Sequence, residues 1–176
     1  MQARVRVHSA GLLCAGVLLC AGVLASCGSS GQSVKTSSIL TSDPATRTAH
    51  LLLVSSSTPA YGGFNFDGYG GGAMRVTIPL GWQVDVTCKN AAANLTHSCA
   101  IVEDLQLSPY GAPLAFPGAS SPDPQGGVAP GATTSFRFVA SKVGTYRIAC
   151  LVSGHEIDGM WDWLTVSAGG VPKLNV

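Results

Sequence analysis

A cysteine, a histidine and a methionine stand close together near the C-terminus, in the segment Cys150-Leu-Val-Ser-Gly-His155-Glu-Ile-Asp-Gly-Met160. A thiolate, an imidazole and a thioether are three of the four ligands of a copper site that exchanges single electrons. A second imidazole is needed, and His97, just before a predicted strand, is the best-placed candidate. Because soft sulfur stabilises Cu(I) while imidazoles satisfy Cu(II), the set predicts one bound copper ion used for electron transfer.

The number of histidines limits what else such a site could do. Of the four histidines, one precedes the predicted mature protein, which leaves His50, His97 and His155. A nitrite reductase or a multicopper oxidase needs further imidazoles for a second copper centre, and a binuclear purple-copper site needs a second cysteine where Gly154 stands. The pattern therefore predicts a carrier rather than an enzyme. Zinc remains the rival metal, although it rarely binds a thioether.

The N-terminus predicts export. Arg4 and Arg6 precede an apolar run over residues 10–24, which is typical of a secretory signal peptide. The following Leu-Ala-Ser-Cys27 resembles a bacterial lipobox, which implies cleavage of residues 1–26 and acylation of Cys27. We expect a protein anchored by lipid to the outer face of the bacterial cytoplasmic membrane, at the cell surface or in the periplasm. An ordinary signal peptide with a fortuitous cysteine is the alternative.

The remaining chain is long enough for one domain on a tether. Residues 27–46 are rich in Ser, Thr and Gly and predict a flexible linker, so the domain is expected over 47–176. Loss of Arg4 and Arg6 from ten basic residues leaves eight against nine acidic ones. This balance gives no electrostatic case for binding nucleic acid.

The domain shows short alternating runs broken by Gly and Pro, without a long helical period. Such a pattern predicts an all-β protein, a Greek-key β-sandwich of about seven strands. Residues 104–131 are rich in Pro and Gly and predict a long surface insertion. The predicted strands are 47–54, 73–78, 83–88, 98–102, 133–139, 144–150 and 163–166.

Two further cysteines, Cys88 and Cys99, share strand parity with core positions. Export permits a disulfide between them, worth ~3 kcal/mol under the loop-entropy model. Two free core thiols are the alternative.

The Cys-x4-His-x4-Met spacing resembles that of sulfocyanin and rusticyanin. The Phe64-Asn-Phe-Asp-Gly element, Ile78-Pro-Leu-Gly-Trp82 and Gly159-Met160-Trp161 make the sulfocyanin family the better match over about residues 48–168. The resemblance implies a cupredoxin fold and a mononuclear type 1, or blue, copper site formed by His97, Cys150, His155 and Met160. It also implies a respiratory chain with a cytochrome complex as donor and a terminal oxidase as acceptor.

Three residues are candidates for tuning this site or for passing electrons. Ser98 stands where many blue copper proteins have Asn after the first His, so the resemblance leaves open whether this position hydrogen-bonds to the Cys150 sulfur, a bond of the kind that tunes the potential. Phe64 and Trp161 are expected to exclude water from the metal.

Two other functions stay open at this point. A copper-handling protein would bind the metal and deliver it for oxidase assembly or detoxification. A cupredoxin-like binding module without metal would leave the four matched ligands without a role. Ligands drawn from separated strands favour the electron carrier, because copper delivery needs exposed, exchangeable ligands.

Overall fold

The computed structural model describes residues 36–104 and 106–176. Within them a four-residue helix α1, Thr36–Ile39, and a short 3-10 helix, Ala60–Gly63, accompany nine strands. The strands are β1 Leu40–Asp43, β2 Thr48–Ser55, β3 Arg75–Pro79, β4 Gln83–Asn90, β5 Ala100–Glu103, β6 Thr133–Val139, β7 Gly144–Ala149, β8 Trp161–Ser167 and β9 Lys173–Asn175.

The strands form two mixed sheets. One has the order β1-β2-β4-β6, and the other has the order β5-β7-β8-β3-β9. The pairs β2–β4 and β3–β8 are parallel, and the other pairs are antiparallel. The predicted all-β sandwich is confirmed.

Alternating burial shows which side of each strand faces the interior. In β4 the side chains of Val84, Val86 and Cys88 are buried and alternate with more exposed neighbours. In β8 Leu164 and Val166 do the same from the other sheet. Because side chains alternate between the two faces of a strand, this period of two sends one apolar set from each sheet into a common core.

Strands β2 to β8 correspond to the seven predicted strands, with ends shifted by up to two residues. We predicted a flexible tether through residue 46, and this is wrong for residues 40–43. These residues form β1, which pairs antiparallel with β2, with Leu40 opposite Leu51 and Asp43 opposite Thr48. A short polar edge strand is held by backbone hydrogen bonds, so it carries little hydrophobic pattern. Strand β9 was missed for the same reason.

The segment 104–131 is more than a surface insertion. Phe116 is 2% exposed, and its ring stacks on Phe138 at 5.3 Å and meets Tyr146 edge-on at 4.8 Å. Isolated bridges join the segment to the edge of the second sheet, through Val102–Leu114 and Ala100–Ser120. The Pro and Gly residues prevent regular strands, but single bridges and buried side chains still pack the segment onto the domain.

No helix in the described ranges has the length and apolar character needed to span a membrane. The predicted signal peptide and Cys27 lie outside the described residues.

Phe116→Ala should destabilise the protein by about 3–5 kcal/mol, because a buried ring is lost and a cavity remains. Leu114→Ala, at a site 40% exposed, is the matched control and should cost less than ~1 kcal/mol. Urea unfolding of both variants measures the difference, and equal effects would contradict the packing of residue 116 in the core.

Candidate metal centre

Three metal-binding side chains converge at one end of the sandwich. The ligand atoms of His97, Cys150 and His155 all lie within 4.8 Å of one another. The Cys150 Sγ atom is 3.3 Å from Nδ1 of His155. Atoms bound to one ion at about 2.0–2.3 Å lie roughly 3.5–4 Å apart in a trigonal plane, so these three need to move little to share an ion.

His97 is held by contacts on both sides. Its backbone N–H donates to the carbonyl of Val128, with an N to O distance of 3.3 Å, and its carbonyl accepts the N–H of Val128 at 2.7 Å. Two residues after His97, a disulfide joins Cys99, which directly precedes β5 of the second sheet, to Cys88 in β4 of the first sheet. The bridge and the disulfide together fix the segment that carries the first imidazole.

The other ligands lie on the loop between β7 and β8. The N–H of Cys150 donates to the carbonyl of Met160 at 3.2 Å, and the N–H of Met160 donates to the carbonyl of His155 at 3.0 Å. Gly159 has φ +101°, a value that L side chains rarely adopt. The loop thus closes on itself, and Met160 is fully buried at its end.

Ser98 binds the Cys150 sulfur. Its N–H lies 3.2 Å and its hydroxyl oxygen 3.6 Å from Sγ. The same hydroxyl oxygen accepts the N–H of Leu151 at 2.8 Å. Ser98 therefore links the His97 segment to the Cys150 loop at the sulfur itself.

Phe64 covers the two imidazoles. Its ring centroid lies 4.9 Å from that of His155 and 6.3 Å from that of His97, edge-on in both cases. The next residue, Asn65, is fully buried, and its amide donates to the carbonyls of Thr58 and Ala60 at 2.9 and 2.8 Å. These bonds hold the loop that places Phe64 against both rings, and its exclusion of water from the metal stays a prediction.

Burial keeps the imidazoles in the form that binds metal. It lowers the pKa of His97 to about 4, with a further contribution from nearby His155, and it lowers the pKa of His155. Neutral imidazole is the metal-binding species. Burial raises the pKa of the Cys150 thiol, and the two hydrogen bonds from Ser98 oppose that rise.

A metal ion accounts for one otherwise costly feature. His97 is fully buried, and neither of its ring nitrogens has a hydrogen-bond partner in the described part of the chain. A buried polar atom left unpaired costs about 1–3 kcal/mol. Coordination by one ring nitrogen removes much of that cost, so the residues present fit a type 1 copper ion.

Trp161 and His50 lie away from the centre. Trp161 alternates with Asp162 and Leu164, whose buried side chains occupy the opposite face of the strand. Trp161 accordingly packs on the outer side of the second sheet with Ala100 and Ala149, so the prediction that it shields the metal is wrong. His50, the other histidine of the predicted mature protein, is not part of the cluster: its side chain is 55% exposed, and its Nδ1 lies 3.7 Å from Oδ2 of Asp85.

Sequence reasoning missed an ion pair that touches the ligand loop. Arg147 and Glu156 are each 1% exposed, and Arg147 Nε donates to Glu156 Oε1 at 2.9 Å. The available signal was an arginine in an apolar strand, three residues before Cys150. Lysine, arginine and glutamate are seldom fully buried unless they are paired.

Comparison with known proteins agrees with this geometry. The sulfocyanin (SoxE) domain model matches residues 35–172. The chain belongs to the sulfocyanin family. Sulfocyanin of Sulfolobus acidocaldarius is 26% identical over 129 residues, which are 69% of this chain and 64% of that protein. The match thus spans less than two thirds of the length of this relative.

Solved cupredoxin structures share the fold. Rusticyanin from Thiobacillus ferrooxidans has a TM-score of 0.51 at 22% identity, covering 74% of this chain and 88% of that one. Reduced auracyanin from Roseiflexus castenholzii has a TM-score of 0.50 at 21% identity, covering 67% and 96%. Together with the sulfocyanin match, these results confirm the predicted blue copper cupredoxin.

Ser98→Ala should lower the reduction potential of the copper-loaded protein. The sulfur loses a hydrogen bond from the hydroxyl, so it donates more electron density to Cu(II). The Leu151 N–H also loses its acceptor, which should cost about 1–3 kcal/mol of stability. Voltammetry and urea unfolding measure the two effects, and an unchanged potential would show that the backbone N–H alone tunes the sulfur.

Proposed function

We propose that this protein carries single electrons between components of an extracytoplasmic respiratory chain. Its copper ion, when bound, supplies the Cu(I)/Cu(II) couple. The supporting observation is the convergence of His97, Cys150 and His155 in a site that Phe64 and the loop backbone screen from water. The implied donor is a cytochrome complex, and the implied acceptor is a terminal oxidase.

Each residue around the site has a defined role in this proposal. Ser98 holds the Cys150 sulfur, and the loop hydrogen bonds hold His155 and Met160. A rigid ligand set leaves little to reorganise when the oxidation state changes. His155 is 9% exposed, whereas His97, Cys150 and Met160 are fully buried. His155 is therefore the ligand nearest to solvent and the natural point of electron entry and exit.

Burial also argues against copper delivery. A protein that hands on its metal needs ligands that a partner can reach, and the thiolate here is 0% exposed. The family match favours the carrier for the same site. Rapid exchange of bound copper with a chelator would favour the handling function instead.

Loading the protein with Cu(II) should produce an intense absorption band at about 600 nm, because thiolate-to-copper charge transfer gives such sites their colour. Cys150→Ser should abolish the band while the protein stays folded. The far-UV circular dichroism spectrum is the control for folding. A colourless wild-type protein with bound metal would contradict the electron-carrier proposal and favour zinc or copper handling.

We also propose that the mature protein is anchored to the outer face of the bacterial cytoplasmic membrane through lipidated Cys27. The Leu-Ala-Ser-Cys27 segment supports this proposal. The Cys88–Cys99 disulfide is consistent with an oxidising compartment.

Mass spectrometry of membrane fractions should show a mature protein that begins with acylated Cys27. Cys27→Ser should release the protein from the membrane without changing the copper spectrum, since the copper ligands are other residues. An unmodified N-terminus in the soluble fraction of the wild type would refute the anchor.

A further inference from the structure

A buried ion pair joins the central part of the second sheet to the loop that carries three of the copper ligands. Arg147 lies in β7, in register with Val102 of β5 and Trp163 of β8. Its Nε donates to Oε1 of Glu156 at 2.9 Å, and its Nη1 donates to Oδ1 of Asp104 at 3.0 Å. The side chains of Arg147 and Glu156 are 2% and 1% exposed, whereas that of Asp104 is 41% exposed.

Glu156 occupies a point of the loop from which its backbone affects two ligands. It directly follows His155, and its carbonyl accepts the N–H of Gly159 at 3.1 Å. The next N–H, that of Met160, donates to the carbonyl of His155. Fixing the Glu156 side chain on β7 therefore restricts the turn that carries both the imidazole and the thioether.

Stability alone does not account for this pair. Taking two charges out of water is so costly that a buried ion pair is often no more stable than well-packed apolar residues. An arginine does fix the position of its partner carboxylate, because the planar guanidinium holds its N–H donors in a fixed geometry. A pair of this kind suits a loop that needs one conformation more than it needs additional stability.

We propose that Glu156, held by Arg147, is a positioning residue that fixes the Cys150–Met160 loop in the conformation that presents His155 to the metal. This inference rests on the proposed copper site and deepens it. Arg147 lies in a strand that is paired on both sides, with β5 and β8, and Asp104 at the start of the 104–131 segment also accepts a hydrogen bond from its guanidinium. The loop conformation is thus set by the sheet before any metal binds.

The first test uses the apoprotein, so it does not depend on copper. Glu156→Ala should speed amide hydrogen exchange at Gly159 and Met160 by about tenfold or more, because the turn opens locally. Glu156→Gln keeps an oxygen that can accept from Arg147 Nε, so it should restore most of the protection. Asp85→Asn is the control, since it breaks the Asp85–Arg137 pair, which lies on the other sheet.

A double variant, Arg147→Met with Glu156→Leu, separates positioning from stability. It removes both charges, so no uncompensated charge remains to unfold the protein. We expect it to fold, yet to keep fast exchange at Gly159 and Met160. With copper, its electron paramagnetic resonance spectrum and reduction potential should differ from those of the wild type.

Wild-type exchange rates and wild-type spectra in the folded double variant would overturn the proposal. The failure of the proposed function is a different result, since it would appear as a wild-type protein without a thiolate-to-copper band. The exchange measurement in the apoprotein gives its answer in either case.

Discussion

The hydrogen bond from the Ser98 N–H to the Cys150 sulfur joins two parts of the chain that are 52 residues apart. This hydrogen bond forms only when the first residue of β5, Ala100, lies opposite the last residue of β7, Ala149. The same pairing of β5 with β7 places the His97 segment beside the Cys150 loop. The two imidazoles and the thiolate meet because the sandwich is formed, and no short segment of the chain could assemble them alone.

The surroundings of the site favour a preset arrangement over an adaptable one. The disulfide ties the His97 segment to the first sheet, the Val128 bridge ties it to the 104–131 segment, and Phe64 covers the rings. Burial keeps the imidazoles neutral by lowering their pKa values. The ligand side chains are therefore desolvated and ordered when the protein folds, and little rearrangement remains for the electron-transfer step.

Sequence reasoning succeeded where chemistry or periodicity leaves a mark. Cys150, His155 and Met160 stand at a diagnostic spacing, and His97 follows from the small number of histidines. The strands of the core show alternation. Strand β1 and the packing of Phe116 were missed because backbone pairing and single buried rings in a Pro/Gly-rich segment leave no periodic pattern. The role of Ser98 depends on a contact between distant segments, which no local pattern records.

The central claim is that the fold sets the ligand positions before the metal binds. Crystal structures of the apo, Cu(I) and Cu(II) forms test it most directly. The account predicts that the ligand atoms of His97, Cys150 and His155 superimpose within about 0.5 Å in all three, the tolerance expected of a preorganised site. A rotated imidazole or a displaced Cys150–Met160 loop in the apo or reduced form would contradict it.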